Sequence, residues 1–306
     1  MLLCSALVTK YLSATRDSIF GAKRRALINL LALLAIAACE GEPAMVIDAQ
    51  VDARYDLLNI ERVGHVELDM DSNLGLAVAG NHAYVGYKYD GTIDIVDISD
   101  PASPVRVAGL PLGWDATEVR AIADLALLYV LVGPAELVIF DLADPVAPAR
   151  IGSFTVPNIV AHELFLWRDP AAPSRVLAVI SDVSTTGGFV VLDVSNPSEI
   201  TVHRRQTSSP LHSVSLSDDG SRMYLSFISG EVGVMDSTQL IAQGLAQPAT
   251  LLGNRRVSDC TTQSRTCIAH STVKVPGRAL AVVTYENESC PKGWMDLVDM
   301  SDETIC

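Results

Sequence analysis

Three histidines, His162, His212 and His270, stand near the starts of short strand-like segments, and Asn73 and Glu118 hold the corresponding place in two others. Each segment is followed by a second one, and aligning the chain on Tyr84, Tyr129, Leu177, Tyr224 and Ala281 of those second segments brings the five residues to one equivalent position. Asn73, Glu118 and His270 lie 11 residues before their partners, while longer turns shift His162 and His212. Imidazole nitrogens and a carboxylate suit a first-row transition metal such as zinc or iron, so convergence of these strands would make Glu118, His162, His212 and His270 a metal centre. The same groups would also serve as a hydrogen-bonding rim that holds water, and both readings stand at this point. The chain has no HExxH, no CxxC, no phosphate-binding glycine loop and no GxSxG elbow, so no catalytic residue is assigned.

The elements that must position these groups repeat. Five apolar runs end in Asp: IDIVD at 93–97, LVIFD at 137–141, FVVLD at 189–193, VGVMD at 232–236 and MDLVD at 295–299. Their final residues, Asp97, Asp141, Asp193, Asp236 and Asp299, are 44, 52, 43 and 63 residues apart. That spacing is near the period of a four-stranded propeller blade. About ten residues before each run comes another strand (HAYVGY, LLYVLV, RVLAVI, RMYLSF, ALAVVT), and before that the segment carrying the candidate ligands. After the first three runs the turns DISDPASP, DLADPVAP and DVSNPSEI reverse the chain, because proline cannot extend a ladder, and a further strand follows. An Asp closing each strand is expected to accept hydrogen bonds from the backbone of its own turn, since one carboxylate per blade is too widely spaced for acid–base work.

The runs and the DxSDPxxP turn resemble the LVIVD-repeat family, named for this five-residue signature, over about residues 60–302. The resemblance implies an exported or cell-surface protein and no particular reaction. The fold expected is all-β, a β-propeller of four-stranded antiparallel blades, most simply five blades closed by an N-terminal strand at 60–68 (IERVGHVEL) that completes the last blade. The alternative is a larger propeller that has been truncated.

Residues 1–38 read as an export signal. Lys23, Arg24 and Arg25 precede an apolar run of 13 residues, 26–38, too short to span a bilayer. The sequence IAAC at 36–39 resembles a bacterial lipobox, which makes Cys39 the lipidated first residue of the mature chain and the membrane anchor its first partner. Residues 39–59 form a spacer and 60–306 the propeller. Glu40 after the cysteine points to the outer membrane or the cell surface. Without 1–38 the chain keeps 17 cations against 35 acids, a net charge of −18, which excludes a sequence-independent grip on nucleic acid. In an oxidising compartment Cys260 and Cys267, in one loop, are expected to form a local disulfide. The function expected is that of a non-enzymatic, monomeric scaffold binding a protein or glycan partner; the alternative is a metal-dependent enzyme at the channel mouth.

Overall fold

Apolar residues alternating with a period of two, cut by Gly, Asp and Pro turns, build antiparallel strands in immediate succession. A computed structural model describes residues 61–68, 73–87, 89, 91–244, 247–256, 268–286 and 294–303. The chain divides into two compact units, Met1–Glu61 and Arg62–Cys306, of which the first lies almost wholly outside the described residues. The segments expected to be an export signal and a spacer, with Cys39, Cys260 and Cys267, also lie outside them.

The second unit is an array of sheets. Strands β1 (Asn73–Ala79), β2 (His82–Tyr87), β3 (Thr92–Asp97) and β4 (Val105–Pro111) form the first sheet in that order. Strands β5 (Ala116–Ile122), β6 (Leu127–Val132), β7 (Glu136–Asp141) and β8 (Ala149–Thr155) form the second. The third holds β9 (Ala161–Arg168), β10 (Val176–Asp182), β11 (Gly188–Asp193) and β12 (Thr201–Gln206). The fourth holds β13 (Leu211–Leu216), β14 (Arg222–Phe227), β15 (Glu231–Asp236) and β16 (Thr250–Arg256). The last contains β17 (Ile268–Lys274), β18 (Leu280–Glu286) and β19 (Trp294–Asp299). These are the antiparallel blades of a β-propeller, four-stranded in the first four and three-stranded in the last among the described residues, and the signature runs are the third strand of each.

Each signature Asp closes its strand as expected. Asp97 Oδ1 accepts the backbone N–H of Ser99 at 2.8 Å, Asp141 that of Ala143 at 2.8 Å and Asp193 that of Ser195 at 3.0 Å. Asp236 and Asp299, whose turns lack the proline, do the same for Thr238 at 3.0 Å and Ser301 at 2.9 Å. The carboxylate therefore makes the turn, and the proline only reinforces it.

Four apolar clusters fill the spaces between consecutive sheets. Ile93 and Ile95 of the first meet Val119 and Leu128 of the second; Leu137 and Ile139 of the second meet Leu164 and Ile180 of the third. Leu177 and Val179 of the third meet Leu211 and Leu225 of the fourth, and Val232 and Val234 of the fourth meet Ala281 and Val283 of the last. Each buried Leu, Ile or Val contributes about 1.5–3 kcal/mol, so the sheets hold one another rather than themselves.

Successive first strands lie side by side, β1 against β5, β5 against β9, β9 against β13 and β13 against β17. No comparable contact joins β17 to β1, so the described residues do not close the array. The expected closure by 60–68 differs from the structure in the same way: residues 61–68 form no strand, and the last sheet has three strands. The segment instead lies against the turn after β3. A Cβ built on Gly64 would fall 2.0 Å from the Pro101 carbonyl oxygen, as one built on Gly152 of β8 would fall 1.9 Å from that of Pro197. Gly64 thus approaches the turn after β3 as Gly152 of β8 approaches the turn after β11, with glycine permitting the close backbone approach.

Candidate functional site

The first strand of every sheet carries one β-bulge near its start. Register shifts fall between Asn73 and Gly75, between Ala116 and Glu118, opposite Ile180–Asp182 in β9, between Leu211 and Ser213, and between Ala269 and Ser271. One extra residue opposes the second strand at each, which re-aims that side chain. In β13 and β17 the extra residues are His212 and His270; in β1 and β5 they are Leu74 and Thr117. The eleven-residue alignment therefore places Asn73 one position before the histidine position and Glu118 one position after it. Glu118 corresponds to Glu163 rather than to His162. Asn73 opens β1, and its side chain lies outside the described set.

The three histidines come together. The His162 and His212 rings lie 4.1 Å apart between centroids, and the His212 and His270 rings 4.2 Å, both tilted. His212 is 3% exposed. Its Nδ1 lies 3.0 Å from the His270 carbonyl oxygen, and because a carbonyl only accepts, Nδ1 carries a proton and Nε2 is the ring nitrogen left to meet another partner. Two carboxylates face this ring. Glu163 Oε1 is 3.3 Å from Nδ1, and Glu286 Oε2 is 3.6 Å from Nε2. Glu163 Oε1 also lies 3.8 Å from His270 Nδ1, which pairs with Ser271 Oγ at 2.9 Å. Nδ1 of His162 is buried with no hydrogen-bond partner among the described residues.

Among the described residues, two sets of three donor atoms could each hold a metal ion: His162, Glu163 and His212, or His212, His270 and Glu286, with the donor atoms of a set within 4.8 Å of one another. Glu118 belongs to neither. Its carboxylate is held by the Arg120 guanidinium and by the Val119 N–H at 3.1 Å. Burial pushes Glu118 up to about 7 against the pull of Arg120, with the Glu163 charge adding to the rise. Burial, and after it the neighbouring His212, brings His162 down to about 4 and lowers His270 as well. These two rings are neutral near pH 7, the form in which imidazole ligates.

Sequence reading found the three histidines and missed Glu163 and Glu286. Glu163 follows His162 directly and is brought in by the bulge. Glu286 is the last residue of β18, just beyond the apolar run that marks that strand.

The LVIVD repeat model matches residues 74–108, most of the first sheet, and 182–206, the end of β10 through β12. No curated protein sequence matches the chain. Among solved structures, a functionally unknown protein from Desulfotomaculum acetoxidans aligns with a TM-score of 0.56 at 11% identity, over 78% of this chain and 73% of its own. A protein from Lactobacillus plantarum aligns at 0.55 and 13%, over 74% and 70%. A putative 6-phosphogluconolactonase from Bacteroides uniformis aligns at 0.55 and 9%, over 74% and 69%. At these identities the likeness is one of fold alone. The chain carries LVIVD repeats on the four-stranded blades of a β-propeller.

Proposed function

We propose that this chain is an exported binding scaffold, tethered to a membrane through lipid on Cys39, whose ligand seat is the polar end of the first strands of its blades. The observation that carries the reading is the convergence of His162, His212 and His270, from three successive blades, beside Glu163 and Glu286. Five ionisable groups gathered in one place make a polar seat, and groups so arranged recognise a polar partner. A protein or a glycan is the partner class expected at a cell surface. The second reading, a metal-dependent enzyme at the same seat, is favoured by the donor chemistry of the same five side chains.

Two measurements test the scaffold. Labelled palmitate is incorporated by the intact chain in a lipoprotein-processing host and lost in Cys39→Ala; label retained by the variant overturns the tether. The lipid-free mature chain carrying Cys39→Ala is retained by envelope fractions of the source cell. Pretreating the fractions with protease abolishes retention if the partner is protein, and periodate abolishes it if the partner is glycan. Glu163→Gln with His270→Gln lowers retention at least tenfold, and retention unchanged by that pair removes the seat from the reading.

A further inference from the structure

We propose that His212 Nε2, an imidazole nitrogen of His270 and the Glu286 carboxylate form a site for one divalent transition-metal ion of the zinc class, leaving a coordination position open for water or for an atom brought by a partner. The inference rests on the reading of this end of the strands as the ligand seat and names what the seat holds.

Four observations lead to it. First, His212 Nδ1 donates to the His270 carbonyl at 3.0 Å, the second bond that a metal-ligating histidine almost always makes, since it fixes both tautomer and ring orientation. That leaves Nε2, on the Glu286 side, as the nitrogen that can ligate an ion. Second, the 3.6 Å between His212 Nε2 and Glu286 Oε2 is long for a hydrogen bond. It suits two ligands of one ion, because donors about 2.1 Å from a tetrahedral centre are about 3.4 Å apart. Third, the ligand His212 is deeply buried between two other rings and cannot swing away, whereas Glu286 is half exposed and can close on an arriving ion. A buried anchor with a mobile carboxylate supplies both rigidity and an entry path. Fourth, the three imidazoles face Glu163 and Glu286 and no lysine or arginine pairs with either carboxylate among the described residues. Arg120, on the neighbouring strand, is engaged by Glu118. The local charge therefore favours a cation.

The same tautomer argument decides between the two donor sets. His212 can give Nε2 to the His270–Glu286 side while keeping its hydrogen bond, but giving Nδ1 to the Glu163 side would break it. His162 then acts by packing against His212 and Glu163 by facing the rings; neither is a ligand.

The test uses the untagged, lipid-free mature chain after chelator treatment. Cobalt(II) added to it binds at one equivalent with the visible absorption of a nitrogen and oxygen site, and zinc displaces it. Glu286→Gln and His270→Gln each weaken binding at least tenfold, while His162→Gln weakens it less than threefold; circular dichroism of all three matches the parent. A thiolate charge-transfer band, which would place cobalt on the cysteines, overturns the site. So does binding of less than 0.1 equivalents, or a larger loss in His162→Gln than in Glu286→Gln. If the parent binds no metal but seat substitutions still abolish retention by envelope fractions, this inference fails and the scaffold reading stands.

Discussion

At the scale of single residues, the signature aspartates carry the largest share of what recurs. Each accepts a backbone N–H two residues on, whether or not a proline follows. For Asp97, Asp236 and Asp299 the backbone hydrogen bond from Ser99, Thr238 or Ser301 holds the carboxyl below its ordinary value of 3.8. The sign follows: a carboxyl lowered in the folded state adds stability above pH 3.8, and that contribution is lost as pH falls below it. Because the turn is made by an acceptor oxygen, Asp141→Ala costs about 1 kcal/mol, by analogy with loss of a helix-capping oxygen, or about 2–4 °C in Tm for a domain of this size. Asp141→Asn, which keeps the oxygen, costs less than half as much. Thermal melts followed by circular dichroism at pH 7 measure both, and equal losses for Ala and Asn would show that the charge, not the hydrogen bond, makes the turn.

At the scale of elements, the bulge in each first strand decides which side chains meet. It sets His212 and His270 at the extra position, puts Glu163 beside them, and gives Glu118 to Arg120 instead. This is also where sequence reading reaches its limit. Runs such as LVIFD and FVVLD show their strands because burial on both faces demands unbroken apolar residues, and Asp with Pro shows the turn because both act locally. The bulge falls at the same place in these first strands, but the hairpin that follows is short at 80–81 and longer at 123–126, so counting eleven residues back from Tyr84 or Tyr129 misses the bulge by one in opposite directions and selects Asn73 and Glu118. Glu286 is invisible for a similar reason, since only the antiparallel return of β18 brings its end back to the start of β17. The displacement of Glu118 has a measurable consequence. Its carboxyl, raised to about 7 from an ordinary 4.5 mainly by burial, holds a proton in the folded chain that the unfolded chain has released. Its stabilising share is complete below pH 4.5 and lost as pH rises through 7. Glu118→Gln cannot lose it, so the chelator-treated variant gains on the parent by up to roughly 3 kcal/mol between pH 4.5 and 8. Urea unfolding at the two pH values reads the difference, and a gap that does not widen with pH would show that the Arg120 pair outweighs burial.

At the scale of the whole array, five sheets provide four apolar interfaces, and the two outermost faces have no sheet against them among the described residues. The contrast is visible strand by strand. All six residues of β13 and all seven of β10 are buried, whereas β1 buries Ala77 and Ala79 and exposes Leu76 at 60% and Val78. On β19 Met295 and Leu297 are 64% and 67% exposed, while Val298 is buried. In β1 the exposed Leu76 and Val78 alternate with the buried Ala77 and Ala79, and exposed apolar residues on such outermost strands carry an association hazard. Residues 61–68, seated by Gly64 against the Pro101 turn, meet the first sheet at that turn but leave Leu76 and Val78 open. Charging these faces therefore has little effect on folding and a large effect on association. Leu76→Lys and Leu297→Lys each shift Tm by less than about 2 °C, the range of an exposed substitution, and together they abolish any concentration-dependent rise in light scattering. Leu137→Lys, in the interior of the second sheet, prevents folding under the same conditions. A Tm loss above about 8 °C for either surface variant would mean that its face is covered in solution, and would place a further sheet, or the return of the last one, against it.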